Sequence, residues 1–171
     1  MTKPEFIQSK IFKAEAQDLV SLQRAIAIWK FKDNKIVFTN GCFDILHKGH
    51  VTYLSEASQL GDILIVGLNS DESVKKLHKG ANRPIQDQDS RALILASLHH
   101  VSAVILFNEE TPAELIKNVN PDVLVKGGDW KPEQIVGYDT VKANGGEVVS
   151  IDFVPGFSTT AIEQKIKNSG N

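Results

Sequence analysis

Cys42 is the only cysteine in the chain of 171 residues, so no internal disulfide can staple it and a packed core must hold the fold. No apolar stretch approaches the roughly 18 uninterrupted residues of a membrane span. The start, MTKPEFIQSKIFKAEAQ, lacks the continuous apolar segment of a signal peptide. These absences lead us to expect a soluble, cytoplasmic protein with no membrane partner. Charge of one sign is missing too: 19 Lys and Arg stand against 21 Asp and Glu, for a net charge of -2. That balance gives no electrostatic grip on a phosphate backbone, so no nucleic-acid partner is expected. There is no repeat with a period of about 20 to 50 residues and no low-complexity tract, which sets repeat architectures aside.

What is present is a chain of ordinary domain length, 42% hydrophobic, enough for a single filled core. Strand-length apolar runs recur in KIVFTNG, DILIVGLN, VSAVILF, PDVLVKGG and EVVSIDFV, each rich in Val and Ile and most closed by Gly or Asn. Runs without polar alternation belong to strands buried on both faces. Helical patterns separate them: HVTYLSEASQLG, DESVKKL, SRALILASLHH, PAELIKNV and TTAIEQKIKN. This alternation predicts an α/β fold with a doubly wound parallel sheet. Residues 1–34 read as an N-terminal helical extension, with Leu19, Leu22, Ile26 and Trp29 near helical spacing, and residues 35–171 as the α/β domain. The extension could pack on the sheet or on a partner subunit, which leaves a homo-oligomer open. The longest polar connection, KLHKGANRPIQDQDS, has the length of a functional or mobile loop.

The densest chemistry lies in VFTNGCFDILHKGH, residues 37–50, where the first strand of the domain runs into a helix. Ligands of parallel sheets bind beyond the carboxyl ends of the strands, and free N–H groups at a helix start attract phosphate. His47 and His50, three residues apart, share a face of a helical turn and can both donate to one phosphoryl group. Gly41 permits the turn and Gly49 a close approach of ligand to backbone. Two other readings stay open here: zinc ligation by Asp44, His47 and His50, although the familiar zinc patterns are absent, and nucleophilic use of Cys42, against that of a small buried thiol.

Further along, Lys126 ends an apolar strand and needs an outlet for its charge, while Gly127 and Gly128 leave room for phosphate or sugar beside the backbone. Arg91 falls in the first turn of a helix, where a cation opposes the dipole; such a position suits an arginine aimed at a phosphate, and a solvent-facing arginine fits it as well. Lys79 and Arg83 could clamp anions from the long loop. In GFSTTAIEQKI, Thr160 and Glu163 have the spacing of a capping box, leaving Ser158 and Thr159 to offer hydroxyls to nucleotide phosphates. Ser70 or Asp71 suits a helix N-cap.

GCFDILHKGH resembles the G-x-F-D-x-x-H-x-G-H signature of the cytidylyltransferase-like nucleotidyltransferase superfamily. From about Ser9 onward, VGLNSDESVKKL, RPIQDQDSRALIL, PDVLVKGGDW and ANGGEVVSIDFVPGFSTTAI resemble, in order, its heptose 1-phosphate adenylyltransferases. The chain departs from the cytidylyltransferase form R-T-E-G-I-S-T, having VPGFSTT with no arginine ahead of the hydroxyls. The resemblance implies a Rossmann-like nucleotidyltransferase fold and transfer of AMP from ATP to a heptose 1-phosphate, for surface glycan synthesis. It implies Mg²⁺ carried with ATP and no protein-held metal. It implies catalytic roles for His47, His50, Lys126 and Arg91. It implies nucleotide contacts from Asn40, Gly41, Cys42, Phe43, Gly49, Gly127, Ser158, Thr159 and Thr160 beside the histidines and Arg91. Sugar-phosphate contacts would come from Asp44, Asn69, Asp71, Arg83, Lys126, Gly128 and Asp129. Rival expectations are a cytidylyltransferase for glycerol 3-phosphate or another small phosphate, and a non-catalytic nucleotide-binding regulator.

Overall fold

Every apolar run named above becomes a strand, and the Val, Ile and Leu of the central ones are buried on both faces, whereas EVVSIDFV forms an edge strand that is only partly buried. The computed structural model describes residues 2–13, 16–77, 83–128 and 130–169. Along the chain come α1 (Lys3–Gln8), β1 (Ile11–Lys13), α2 (Ala16–Phe31), β2 (Ile36–Gly41), α3 (Lys48–Ser58), β3 (Ile63–Asn69), α4 (Asp71–Lys76) and α5 (Gln88–Ser97). Then follow β4 (Ala103–Phe107), α6 (Ala113–Val119), β5 (Val123–Gly127), a 3₁₀ turn (Pro132–Gln134), α7 (Tyr138–Ala143), β6 (Glu147–Ile151) and α8 (Thr159–Asn168).

The strands form one six-stranded sheet in the order β1-β4-β3-β2-β5-β6, with every pairing parallel. Starting at β2 the chain winds outward through β3 and β4, then returns to lay β5 on the other side of β2. The crevice at the carboxyl ends of β2 and β5 is therefore the switch point where such sheets bind ligands.

Side chains alternate across the sheet with the period of a strand. Val37, Leu64, Val66, Val104 and Val125 fill one core with Leu54 of α3 and Leu95 of α5. Ile36, Phe38, Ile65, Ile105 and Leu124 fill the other with Leu22 and Ile26 of α2, Ile116 of α6 and Val141 of α7. Full burial of each such side chain is worth about 1.5–3 kcal/mol against exposure, so the two layers fix the strand tips that carry the site.

The described part of residues 1–34 packs on the sheet. Ile11 and Phe12 pair with Val104 and Ile105 and extend the sheet by an edge strand, and α2 buries Leu22 and Ile26 against it. A strand of three residues, IFK, is too short for an apolar pattern to single out. The turn at Pro132–Gln134 and α7 were likewise not expected from KPEQIVGYDTVKA, in which only Ile135 and Val141 are buried. Among the described residues, no helix is long and apolar enough to cross a membrane.

Candidate active site

At the end of β2 the chain turns sharply, with Phe43 in the left-handed region at φ 44°. That turn folds the Phe43 ring back over Gly41, where a Cβ would lie 2.9 Å from the ring. His47 then serves as the N-cap of α3, its Nδ1 accepting the His50 backbone N–H at 3.4 Å. An accepting Nδ1 leaves the proton of the neutral ring on Nε2, available to a ligand. The two imidazoles stack, centroids 3.8 Å apart and planes 19° from parallel, and Phe43 leans on His50 with centroids at 5.2 Å.

Burial lowers the pKa of both histidines, and with the neighbouring His47 ring it takes His50 to about 4. Near neutral pH both are uncharged hydrogen-bond donors. His50 Nδ1 is buried without a hydrogen-bond partner among the described residues, a position that a ligand or water would satisfy.

The stack borders a cleft of about 640 Å³ at the switch point. Of the expected nucleotide contacts, Asn40, Gly41, Cys42, Phe43, His50, Gly127, Thr159 and Thr160 line it, together with Asp44, Arg83 and Lys126 from the acceptor set. Lys126 Nζ donates to Asn40 Oδ1 at 3.3 Å, joining the tips of β5 and β2. His47, Gly49 and Ser158 adjoin lining residues in the chain and do not themselves line the cleft. Gly49 lets Phe157 close on α3, since a Cβ would meet Phe157 Cβ at 3.2 Å, and Ser158 Oγ caps α8 by accepting the Ala161 N–H at 3.0 Å. Beyond Lys126 lies a second cavity of about 270 Å³, bordered by Asn69, Glu110, Thr111 and Gln134 and sharing Asn40, Lys126 and Trp130 with the first.

Several expected contacts are taken up within the protein. Arg91, expected to face a phosphate, has a fully buried side chain. Its Nε donates to the Gln86 carbonyl at 3.0 Å, and its guanidinium nitrogens to the carbonyls of Cys42 and Asn69 at 2.7 and 2.8 Å and to Asp71 Oδ1 at 2.7 Å. A guanidinium out of water needs such partners, and these come from the segments around the switch point. Arg91 therefore fastens the site from behind and does not line the cleft, and Asp71 is its counter-ion.

Asp44, expected on the sugar phosphate, accepts the N–H groups of Ile85 and Gln86 at 2.8 and 3.0 Å and a bond from Arg83 at 2.8 Å. Burial alone would raise its pKa; the bonds from Gln86, Arg83 and Ile85 outweigh it and hold the carboxyl below its usual range. Arg83 in turn bridges Asp44 and Glu163 of α8. Asn69 donates to Ser73 Oγ at 2.9 Å and borders the second cavity only. Gly128 accepts the Ser150 hydroxyl and stands beside the cleft lining. The expected capping box of Thr160 and Glu163 is not formed: Ser158 is the cap and Glu163 pairs with Arg83. Ser70 caps α4 as its hydroxyl suggests. Lys79 and Asp129 lie outside the described residues.

Sequence reasoning missed Tyr53, Trp130 and Phe153, which line the cleft. Tyr53 shares a 2.6 Å hydrogen bond with Thr39, and no motif marks either residue. Among the described residues, no group of three or more His, Cys, Asp and Glu could hold a metal ion. With Asp44 engaged by Arg83 and backbone N–H groups, zinc ligation by Asp44, His47 and His50 has no support.

A parallel sheet with a histidine pair, a lysine and two threonines around its switch point defines a nucleotidyltransferase domain. Residues 38–165 match the family model described as cytidylyltransferase-like, and the chain belongs to that family. It is 50% identical over 169 residues to the bifunctional protein HldE of Wolinella succinogenes, covering 96% of this chain and 34% of that protein. With the bifunctional protein HldE of Nitratiruptor sp. it shares 58% over 137 residues, 80% of this chain and 29% of the relative. The chain thus spans about a third of the length of these curated relatives. A crystal structure of the lipopolysaccharide core biosynthesis protein from Thermoplasma volcanium GSS1 superposes with a TM-score of 0.59 at 30% identity, covering 71% of this chain and 97% of that one. A pantoate-beta-alanine ligase from Francisella tularensis shares the fold, with a TM-score of 0.58 at 15% identity, over 94% of this chain and 78% of that one.

Proposed function

We propose that this domain transfers AMP from ATP to D-glycero-β-D-manno-heptose 1-phosphate, giving ADP-heptose and pyrophosphate for lipopolysaccharide core or a related surface glycan. The observation that carries this reading is the cleft that joins His50, Lys126, Thr159 and Thr160 at one switch point, with a second, smaller cavity across Lys126. The larger space suits a nucleoside triphosphate and the smaller a sugar phosphate. The resemblance of the chain to heptose adenylyltransferases supports the choice of partners, as does a similar protein described as acting in lipopolysaccharide core biosynthesis.

In the reaction an oxygen of the sugar 1-phosphate attacks the α-phosphorus of ATP, a P–O bond forms, and the bond to the β-phosphate breaks to release pyrophosphate. The attacking oxygen is already anionic near neutral pH, so no general base is required. The protein's part is to position the reactants and stabilise charge developing on the phosphoryl oxygens. His47 Nε2 and the His50 ring give uncharged donors at the start of α3, Lys126 supplies positive charge between the two cavities, and Thr159 and Thr160 give hydroxyls at the start of α8. Mg²⁺ would enter as a companion of ATP, held by phosphate oxygens and water, since the nearby carboxylate of Asp44 is committed to Arg83. Bound that way it would neutralise charge on the triphosphate.

The test is pyrophosphate release with Mg²⁺, comparing ATP plus the heptose 1-phosphate against CTP plus glycerol 3-phosphate. The proposal requires much faster turnover with the first pair. Faster turnover with the second would overturn it.

A further inference from the structure

Phe153 is 65% exposed and Trp130 is 50% exposed, and both rings border the main cleft. Exposed apolar side chains scattered singly are ordinary, but two aromatic rings bordering one cleft make a patch of the kind that marks a ligand groove. Both sit against the glycine pair at the end of β5. A Cβ on Gly127 would lie 2.6 Å from the Phe153 ring, and one on Gly128 would meet Phe153 at 3.1 Å and Trp130 at 3.2 Å. Gly128 also holds φ 113°, a conformation that side chains resist. The two glycines thus let both rings lie close to the backbone at the end of β5. Phe153 borders only the larger cavity, on the same wall system as His50, Thr159 and Thr160, whereas Trp130 borders both.

We infer that Phe153 and Trp130 form the platform on which the nucleobase stacks, with Trp130 also serving as the partition between nucleotide and acceptor. The inference rests on the reading of the larger cleft as the nucleotide site and adds how the base is held. A purine presents a flat π-face to Phe153, and stacking of this kind is tolerant of the hydrogen-bonding edge of the base. The platform accordingly favours purines over pyrimidines by contact area, and the identity of the exocyclic groups matters little to it.

Binding of ATP and of inorganic tripolyphosphate, each with Mg²⁺, to wild type, Phe153→Ala, Phe153→Tyr and Trp130→Ala tests this by calorimetry. Loss of a base-stacking ring costs about tenfold or more in affinity. Phe153→Ala should weaken ATP by that order and leave tripolyphosphate within about twofold, and Phe153→Tyr should restore ATP binding. Trp130→Ala should act in the same direction. Unchanged ATP affinity in both alanine variants would overturn the platform, as would equal weakening of ATP and tripolyphosphate. Wild type that binds neither probe would instead strike at the nucleotide reading itself. Exposure of both rings means the variants should melt near wild type, and the melts are run on the same samples.

Discussion

An uncharged imidazole gives a phosphoryl oxygen one hydrogen bond without bringing a full positive charge into the cleft, and the pKa of His50 near 4 keeps it in that form. Donors aimed at developing phosphoryl charge are worth about a hundred- to thousand-fold in turnover by analogy with oxyanion-hole deletions. His50→Ala should lower kcat by that order with a near-normal melting temperature at about pH 8, while His50→Asn, which keeps a donor, should be milder; wild-type turnover in the alanine variant would make the pair structural. The pH dependence has a definite sign. The unfolded chain takes up the His50 proton below about pH 6.5, the folded chain only near 4, so stability is complete above that range and drains as pH falls through it. His47 and His100 shift in the same direction, and Asp44, held low, adds a loss that begins only in the carboxylate range. The spacing of His47 and His50 made this pair legible in the sequence. The inward turn of Arg91 is not legible, because a position in the first turn of a helix says nothing of which face meets the core, and neither are the partners of Asp44, which lines the cleft but bonds to residues 83–86 across a long loop.

Among the elements, α8 is the least anchored part of the cleft, for it buries no residue and is held by its Ser158 cap and the bond from Arg83 to Glu163 at 3.0 Å. Thr159 and Thr160 reach the cleft from its first turn. A partly buried ion pair of this kind contributes about 1 kcal/mol at most. Glu163→Gln should therefore raise amide exchange across Thr159–Asn168 about fivefold, with little change in the global melt, because local opening and global unfolding have separate free energies. Exchange unchanged from wild type would show that other contacts hold the helix. Element types followed from apolar period and cap residues wherever those were strong, as in DILIVGLN leading into Ser70 and α4. They failed at β1 and α7, where three residues of strand and one buried valine carry too little pattern.

At the scale of the molecule, alternation of strands and helices was enough to expect a parallel doubly wound sheet, since both cores need helices to cover them. Strand order was not legible, because the placement of β1 beside β4 is decided by contacts between residues far apart in sequence, such as Ile11 with Val104. That order sets β2 between β3 and β5 and so brings the histidine loop, Lys126 and α8 to one cleft. In the proposed reaction the cleft directs a sugar phosphate to the α-phosphorus of ATP. The most direct measurement follows ATP labelled at that phosphorus through a single turnover with the heptose 1-phosphate. Label in the ADP-sugar, with unlabelled pyrophosphate, is the predicted result; label recovered in free ADP or AMP, with none in a sugar nucleotide, would contradict it.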